Sequence, residues 1–334
     1  MKVLFIGGTG KISSACSRLA VKRGIDLYLL NRGQTSRPIP DNVHILHGDI
    51  RDPASASSAL DGHTFDAVVN WIAFTPEHIE TDLNLFRGRT QQYIFISSAS
   101  AYQKPLSGLP ITESTLLANP YWEYSRNKIA CEELLVRAYR EEGFPFTIVR
   151  PSHTYDRTML PFSGGYTVID RMRKGKKVIV HGDGTSLWVL THHADFAKGF
   201  VALLGNSHAI GDAFHITSDE LLTWDQIHKI CAHAAGTEAD LVHVPSDLIA
   251  AYDPAWGAGL IGDKSHSVIF DNTKIKRIAP DFTAAIPFAR GAEEVMAWYD
   301  ADPARQVVDE QMDRLMDTIL TAYGAAWPKA QTQP

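Results

Sequence analysis

Tyr124 and Lys128 stand four residues apart in Tyr124-Ser125-Arg126-Asn127-Lys128, a spacing that puts both side chains on one helix face, one turn apart. A free phenol, with a pKa of about 10, is too weakly acidic to serve as a base at neutral pH. A neighbouring ammonium favours the phenolate, and each tenfold gain in the ionised fraction takes about 1.4 kcal/mol. The pair therefore has the makings of an acid–base couple, with Tyr124 moving the proton and Lys128 assisting. The same spacing recurs by chance, so it needs supporting features elsewhere. One is the apolar run Ile94-Phe95-Ile96, which leads into Ser97-Ser98-Ala99-Ser100-Ala101-Tyr102. A hydroxyl at the end of such a strand can hydrogen-bond a substrate oxygen while a tyrosine takes or returns its proton. A turn or helix cap is the other reading of these serines, and it suits Ser97 and Ser100 best.

Gly7-Gly8-Thr9-Gly10-Lys11-Ile12-Ser13 lies between a first apolar stretch, Val3-Leu4-Phe5-Ile6, and a first amphipathic one. There a glycine-rich loop matches a dinucleotide-binding fingerprint. Gly7 allows the tight turn and Gly10 lets the backbone approach a pyrophosphate. The amides of Thr9, Lys11 and Ile12 and the helix N-terminus would then hold that anion. Ser13 stands where a third glycine is usual. The alternative is a glycine-rich turn with no ligand. At the end of the second strand, Asn31 and Arg32 replace the carboxylate that usually accepts a ribose 2′-hydroxyl. Asn31 does not repel a 2′-phosphate and Arg32 can pair with one, which favours NADP over NAD. Arg32 stacking on adenine, or lying in solvent, is the competing reading. Asp49 and Ile50 follow the third strand, where Asp49 can accept from the adenine amine. A bound, positively charged nicotinamide ring would further favour the Tyr124 phenolate, and Lys128 could also hold the nicotinamide ribose.

These residues need a scaffold. Strands are expected at 2–6, 26–30, 43–46, 66–72, 92–97 and 145–149, with helices between them, most clearly at 12–23 and 121–142. Continuous apolar strands separated by helices imply a parallel sheet covered on both faces, hence a doubly wound α/β fold. Beyond Arg150-Pro151 the rhythm loosens, with helices expected at 163–174, 224–234, 289–299 and 303–323 and short strands at 177–180 and 213–217. The expected division is a dinucleotide-binding domain of 1–157 plus about 182–222. A smaller mixed α/β C-terminal substrate lobe takes about 158–181 plus 223–326, and a loose tail covers 327–334.

Composition narrows the function classes. With 45% hydrophobic and 21% charged residues the chain can build a sizeable core, and its net charge of −6 gives no general attraction to nucleic acid. Arg171-Met172-Arg173-Lys174-Gly175-Lys176-Lys177 is the one dense basic run, read as a helix C-terminus rather than a nucleic-acid patch. The cysteines Cys16, Cys131 and Cys231 have no metal-ligand spacing and read as reduced thiols, Cys16 as core. No metal is expected. Nor is a membrane span or leader peptide, which places the chain in the cytoplasm. A homodimer is one admissible assembly.

Taken together, the glycine loop, Asp49, Ser-Ser-Ala-Ser-Ala-Tyr and Tyr-x-x-x-Lys occur in the order that resembles the extended short-chain dehydrogenases, the NAD-dependent epimerase/dehydratase group. Arg150-Pro151, His181-Gly182-Asp183-Gly184 and Thr191-His192-His193-Ala194-Asp195-Phe196 fit as well, so the likeness covers about residues 1 to 300. The Asn-Arg-Gly turn and the short interval from Phe74 to Ser97 look most like the branch holding the plant chloroplast stem-loop-binding proteins. The resemblance implies a Rossmann fold, catalysis by Tyr124 and Lys128, and a catalytic hydroxyl at Ser98. It also implies reversible oxidation of a secondary alcohol on a carbohydrate-like substrate, by an epimerase or a dehydrogenase. Where dehydratases of the group carry an Asp-Glu pair, this chain has Ala99-Ser100, which ranks elimination third. Candidate substrate contacts are Ser100, His153, Arg157 and Trp188. Trp188 falls roughly where many nucleotide-sugar enzymes of the group carry a diphosphate-binding arginine, which favours a free sugar, polyol or glycoside unless Arg157 or Arg290 supplies the cation. RNA binding on a dehydrogenase scaffold is the alternative from another class.

Overall fold

The computed structural model describes residues 1–34 and 37–327. The chain begins with strands and helices in near alternation: β1 (Lys2–Ile6), α1 (Ser13–Lys22), β2 (Asp26–Asn31), β3 (His44–His47), α2 (Pro53–Ala59), β4 (Phe65–Asn70), α3 (Pro76–Phe86), β5 (Thr90–Ile96), α4 (Glu123–Glu142), β6 (Phe146–Pro151) and β7 (His153–Tyr155). It continues through α5 (Tyr166–Arg173), β8 (Lys177–His181), β9 (Leu187–Trp188), β10 (Leu190–His192), α6 (His193–Val201) and β11 (Asp212–Ile216). The remainder comprises β12 (Leu222–Thr223), α7 (Trp224–Ala234), β13 (Asp240–Val244), α8 (Ser246–Tyr252), α9 (Pro254–Gly259), α10 (Thr273–Ile278), α11 (Phe288–Asp300) and α12 (Glu310–Ala325).

Two compact units divide these elements: 1–156, 189–220 and 269–286 form the first, and 157–188, 221–268 and 287–334 the second. The first holds a seven-stranded sheet in the order β11-β6-β5-β4-β1-β2-β3, parallel throughout. This is the doubly wound α/β fold. Its strands are apolar on both sides because both faces are covered. Val3, Phe5, Leu27, Leu29 and Val69 pack on one face with Cys16 of α1 and Phe196 and Phe200 of α6. Leu4, Ile6, Val68 and Phe95 pack on the other with Ile79 and Leu83 of α3 and Cys131 and Leu135 of α4. Strand order reverses between β1 and β4, which pair from Val3↔Ala67 to Ile6↔Asn70. The crevice beyond that switch point is where an open parallel sheet takes its ligand.

The second unit carries two small sheets, parallel β8–β13 and antiparallel β9–β12. Its division from the first differs from the sequence reading in two places. Residues 182–188 belong to the second unit, because Leu187 and Trp188 pair with Thr223 and Leu222. Residues 269–286 belong to the first. There the Ile111 amide donates to the Ile269 carbonyl (2.7 Å) and the Asp271 amide to the Ile111 carbonyl (2.9 Å), while Ile275 of α10 enters the core beside Phe196 and Ile216. The helix expected at 303–323 is a short 3-10 turn at Pro303–Arg305 followed by α12. Asp309 starts α12 by accepting from the amides of Gln311 and Met312, which sets the boundary seven residues late. β13 was not expected at all. Of the tail, only Trp327 lies among the described residues. Among those residues no helix is long and apolar enough to cross a membrane.

Gly8 shows how tightly the first strand and helix close. Its φ is +89°, and a Cβ there would stand 2.5 Å from Leu29 Cδ2 and 3.3 Å from Phe5 Cβ, both on fully buried residues. Gly8→Ala should cost about 2–4 kcal/mol, adding a left-handed backbone penalty to overpacking. Urea unfolding of the two proteins checks this.

Candidate active site

The glycine loop sits at the switch point. The Gly7 amide donates to Leu30 O (3.0 Å) at the end of β2, and the Trp71 amide to Ile6 O (3.1 Å) at the end of β1. Ser13, in the place of the third glycine, does more than fit a tight space: its Oγ accepts from the Gly10 amide at 2.8 Å. Ser17 Oγ donates to Gly8 O (2.7 Å). Sequence reasoning passed over Gly8 and the loop's third fastening. His193, at the start of α6, meets the Lys11 carbonyl at 2.9 Å. Burial pushes its imidazole down to about 4, so at neutral pH it is a neutral ring donating Nδ1–H to Lys11. The first turn of α1 holds no acidic side chain of its own, which leaves its positive dipole end unneutralised from within the helix. A loop with bare backbone at three positions, leading into a helix N-terminus, fits a dinucleotide pyrophosphate.

At the end of β2, Asn31 Oδ1 accepts from the Gly33 amide (2.9 Å). Arg32 is 59% exposed, its Nη1 3.8 Å from Asp49 Oδ2, while Asp49 Oδ1 accepts from the Arg51 amide (2.9 Å). Ile50 is buried beside them. Arg32 and Asp49, assigned on sequence to different parts of an adenosine, are thus within reach of each other.

Tyr124 and Lys128 occupy the first and second turns of α4. Lys128 is almost fully buried. Its ammonium donates to Ala73 O at 2.6 Å, in the turn after β4, and to Ile96 O at 2.8 Å, at the last residue of β5. The rings of Phe74, Phe95 and Tyr124 stand 4.6, 4.8 and 5.7 Å from Nζ, a cation–π surround. Burial nevertheless pushes the lysine down to about 7. Tyr124 is half-buried between Trp122 (rings 4.9 Å apart) and Phe74 (6.5 Å).

The three serines after β5 have separate fates. Ser97 turns inward and donates to Glu132, whose carboxylate receives Arg150 through Nε (3.0 Å) and Nη2 (2.6 Å) in a buried two-pronged pair. Ser98 Oγ accepts from the Ser100 amide (3.2 Å), capping the short turn Ala99–Ala101, and lies 2.8 Å from Ser100 Oγ. Ser100 is buried, taking a hydrogen bond from Ser125 Oγ (2.8 Å) while its carbonyl accepts from Asn119 (2.8 Å). The capping role expected of Ser97 thus falls to Ser98, which is also the one serine of the three that keeps solvent exposure.

The expected substrate contacts are distributed over both units. Ser100 and His153 belong to the first, His153 as the first residue of β7, paired in register with Leu190. Arg157 and Trp188 belong to the second, Arg157 exposed. Trp188 is not an open platform for a sugar. It is 3% exposed, with its ring 5.5 Å from that of Trp224. Arg290 is exposed and paired with Glu293 (2.8 Å). Among the described residues no three His, Cys, Asp or Glu side chains gather as a metal site would require.

Known proteins resemble this chain in sequence and in fold. The model of the NAD dependent epimerase/dehydratase family matches residues 3–217. The Arabidopsis thaliana chloroplast stem-loop binding protein of 41 kDa b is 30% identical over 261 residues, covering 72% of this chain and 65% of that protein. The UDP-glucose 4-epimerase of Lactobacillus helveticus is 31% identical over 169 residues, covering 45% of this chain and 51% of that one. The chain therefore spans between about half and two-thirds of these curated relatives. Among solved structures, UDP-glucose 4-epimerase from Bifidobacterium longum in complex with NAD+ and UDP superposes with a TM-score of 0.72 at 19% identity, covering 91% of this chain and 99% of that one. The likeness is one of fold.

Lys128 carries a stability cost with a definite pH signature. Its pKa is about 7 when folded and about 10.4 when unfolded. Between those values the unfolded chain holds the extra proton, so stability rises with pH. Below 7 the whole penalty of the buried ammonium is present. Lys128→Met should therefore stabilise the protein, by about 1–3 kcal/mol at pH 6 and by little at pH 10. Thermal denaturation at the two pH values checks both the sign and the window.

Proposed function

The chain belongs to the NAD dependent epimerase/dehydratase family, and from that premise we propose that it oxidises a secondary alcohol of a sugar-like substrate reversibly, as an epimerase or dehydrogenase. The carrying observation is the Lys128 ammonium, held at Ala73 O and Ile96 O one helical turn from Tyr124. A bound nicotinamide dinucleotide supplies the hydride acceptor. Tyr124 takes the alcohol proton on oxidation and returns it on reduction. Lys128 beside its ring lowers the cost of the phenolate, and the ribose of the nicotinamide is assigned to the same side chain. Ser98 donates a hydrogen bond to the substrate oxygen, and Ser100 and His153 stand as further substrate contacts. The Gly7–Ile12 loop seats the pyrophosphate. With Ala99-Ser100 after Ser98, an acid–base pair for elimination is missing at that place, which favours simple oxidation over dehydration.

RNA binding is the reading that the name of the Arabidopsis relative raises. Four cations of the basic run argue against it: Arg171 binds Asp313 and Asp317, Arg173 binds Asp300, Lys174 binds Asp170, and Lys176 binds Asp313. Cations matched by aspartates have little left to offer a phosphate backbone.

For the cofactor we favour NADP. Asn31 is neutral, and the exposed Arg32 fork can exchange its long contact with Asp49 for a 2′-phosphate. Arg32→Ala should then weaken NADPH binding by about 1.5–3 kcal/mol and leave NADH almost unchanged, measured by fluorescence titration. Equal losses would reassign Arg32 to the adenine and make NAD the choice.

Tyr124→Phe should keep cofactor affinity and lower turnover ~100-fold or more. The assay is nicotinamide absorbance over a panel of free and nucleotide-linked sugars, with product analysis. Net reduction of the cofactor marks a dehydrogenase, and product without net change an epimerase. Near-normal turnover by Tyr124→Phe would overturn the assignment.

A further inference from the structure

Asp82 is a buried carboxyl on α3, 1% exposed, with no part in the chemistry above. Tyr93 donates to its Oδ2, and Asn70 Nδ2 donates to the same oxygen at 2.5 Å. Its Oδ1 has no hydrogen-bond partner among the described residues. Burial pushes the carboxyl up to about 7 against the opposing pull of Tyr93, Asn70 and the nearby Arg51 guanidinium. Keeping such a group is costly, and its hydrogen bonds with Tyr93 and Asn70 offset part of that cost.

What it holds is the turn after β4. Asn70 uses its amide at both ends: Nδ2 goes to Asp82, while Oδ1 accepts from the Ile72 amide at 2.8 Å. One residue further, Ala73 O accepts from Lys128 Nζ at 2.6 Å, and the Phe74 ring stands 4.6 Å from the same ammonium. The far side of the turn is fastened to α3 as well, since His78 Nδ1 accepts from the amides of Phe74 (3.0 Å) and Thr75 (3.2 Å). Arg51 donates to Ile72 O from the flank. His78 and Asp82 are four apart, so a single face of α3 grips both ends of the segment that receives the lysine.

We infer that Asp82 and Asn70 are positioning residues: through the hydrogen bonds Asp82–Asn70–Ile72 they set the 70–74 turn so that Ala73 O meets the Lys128 ammonium. The purpose assigned to that ammonium rests on the function proposed above, whereas the linkage itself does not.

Two readouts on the full chain separate these. The first is titration of the lysine amine by NMR on lysine-labelled protein, with Lys128 identified by its loss in Lys128→Met. Asp82→Ala frees the Asn70 amide and loosens the turn, so the ammonium loses an acceptor and its pKa should fall by about 0.5 or more. The second is affinity for NADH and NADPH, expected to weaken about tenfold or more. Asp82→Asn keeps an acceptor oxygen and should hold both readouts near wild type. Tyr93→Phe removes a partner of Asp82 without touching the turn; it should lower Tm yet leave both readouts unchanged. If Asp82→Ala does not fold, Asn70→Ser cuts the same link and carries the same expectations. An unmoved Lys128 titration in Asp82→Ala or Asn70→Ser, or an equal shift in Tyr93→Phe, overturns the inference. Wild-type protein that binds neither dinucleotide overturns the proposed function, while the titration still decides the linkage.

Discussion

An ammonium inside a protein must find oxygen acceptors, and Lys128 finds two that helix α4 cannot provide. They are the carbonyls of Ala73, in the turn after β4, and of Ile96, at the end of the neighbouring parallel strand β5. Ala73 lies three residues past β4 and Ile96 is the last residue of β5, and the two strands run in register from Phe65↔Thr90 to Asn70↔Phe95. The requirement therefore couples the sheet register, the shape of the turn after β4 and the angle at which α4 crosses the sheet. A shift in any one of them strands a charge in a medium where it costs several kcal/mol.

Charge pairing continues behind this point. Glu132 lies one turn beyond Lys128 on α4, and its carboxylate is engaged by Arg150 from β6 and by Ser97 from the end of β5. Ser97 is thereby drawn into the protein, and the chain can turn so that Ser98 is the serine left partly exposed. Which of the two hydroxyls stays partly exposed is thus tied to a buried ion pair behind the strand. The second unit uses the same device for a different end. Arg171, 1% exposed, joins α5 to α12 by way of Asp313 and Asp317, which turns a basic stretch of sequence into structural cement.

Features written in short-range patterns were legible from the residues. The continuous apolar runs of β1, β2, β4, β5 and β6 and the four-residue spacing of Tyr124 and Lys128 are short-range features, which a local window contains. The glycine loop and the helices near 13–22 and 224–234 belong to the same class. The seven-residue error at the start of α12 arose because a helical-looking composition from 303 onward hid two aspartate caps, Asp302 and Asp309.

The amino-acid sequence by itself determined the doubly wound architecture, the place of the glycine loop and the pairing of a tyrosine with a lysine on one helix face. Tertiary structure alone decided that Gly8 has no room for a side chain, that Trp188 is buried against Trp224, and that 269–286 rejoins the first unit. It also assigned the serines and gave Asp82 its partners. The reason is physical. Each of these outcomes depends on how a polar or bulky group is satisfied by residues distant in the chain. Ser97 meets Glu132, Lys128 meets Ala73, and Ile111 meets Ile269. Such partners become neighbours only after the strands have aligned.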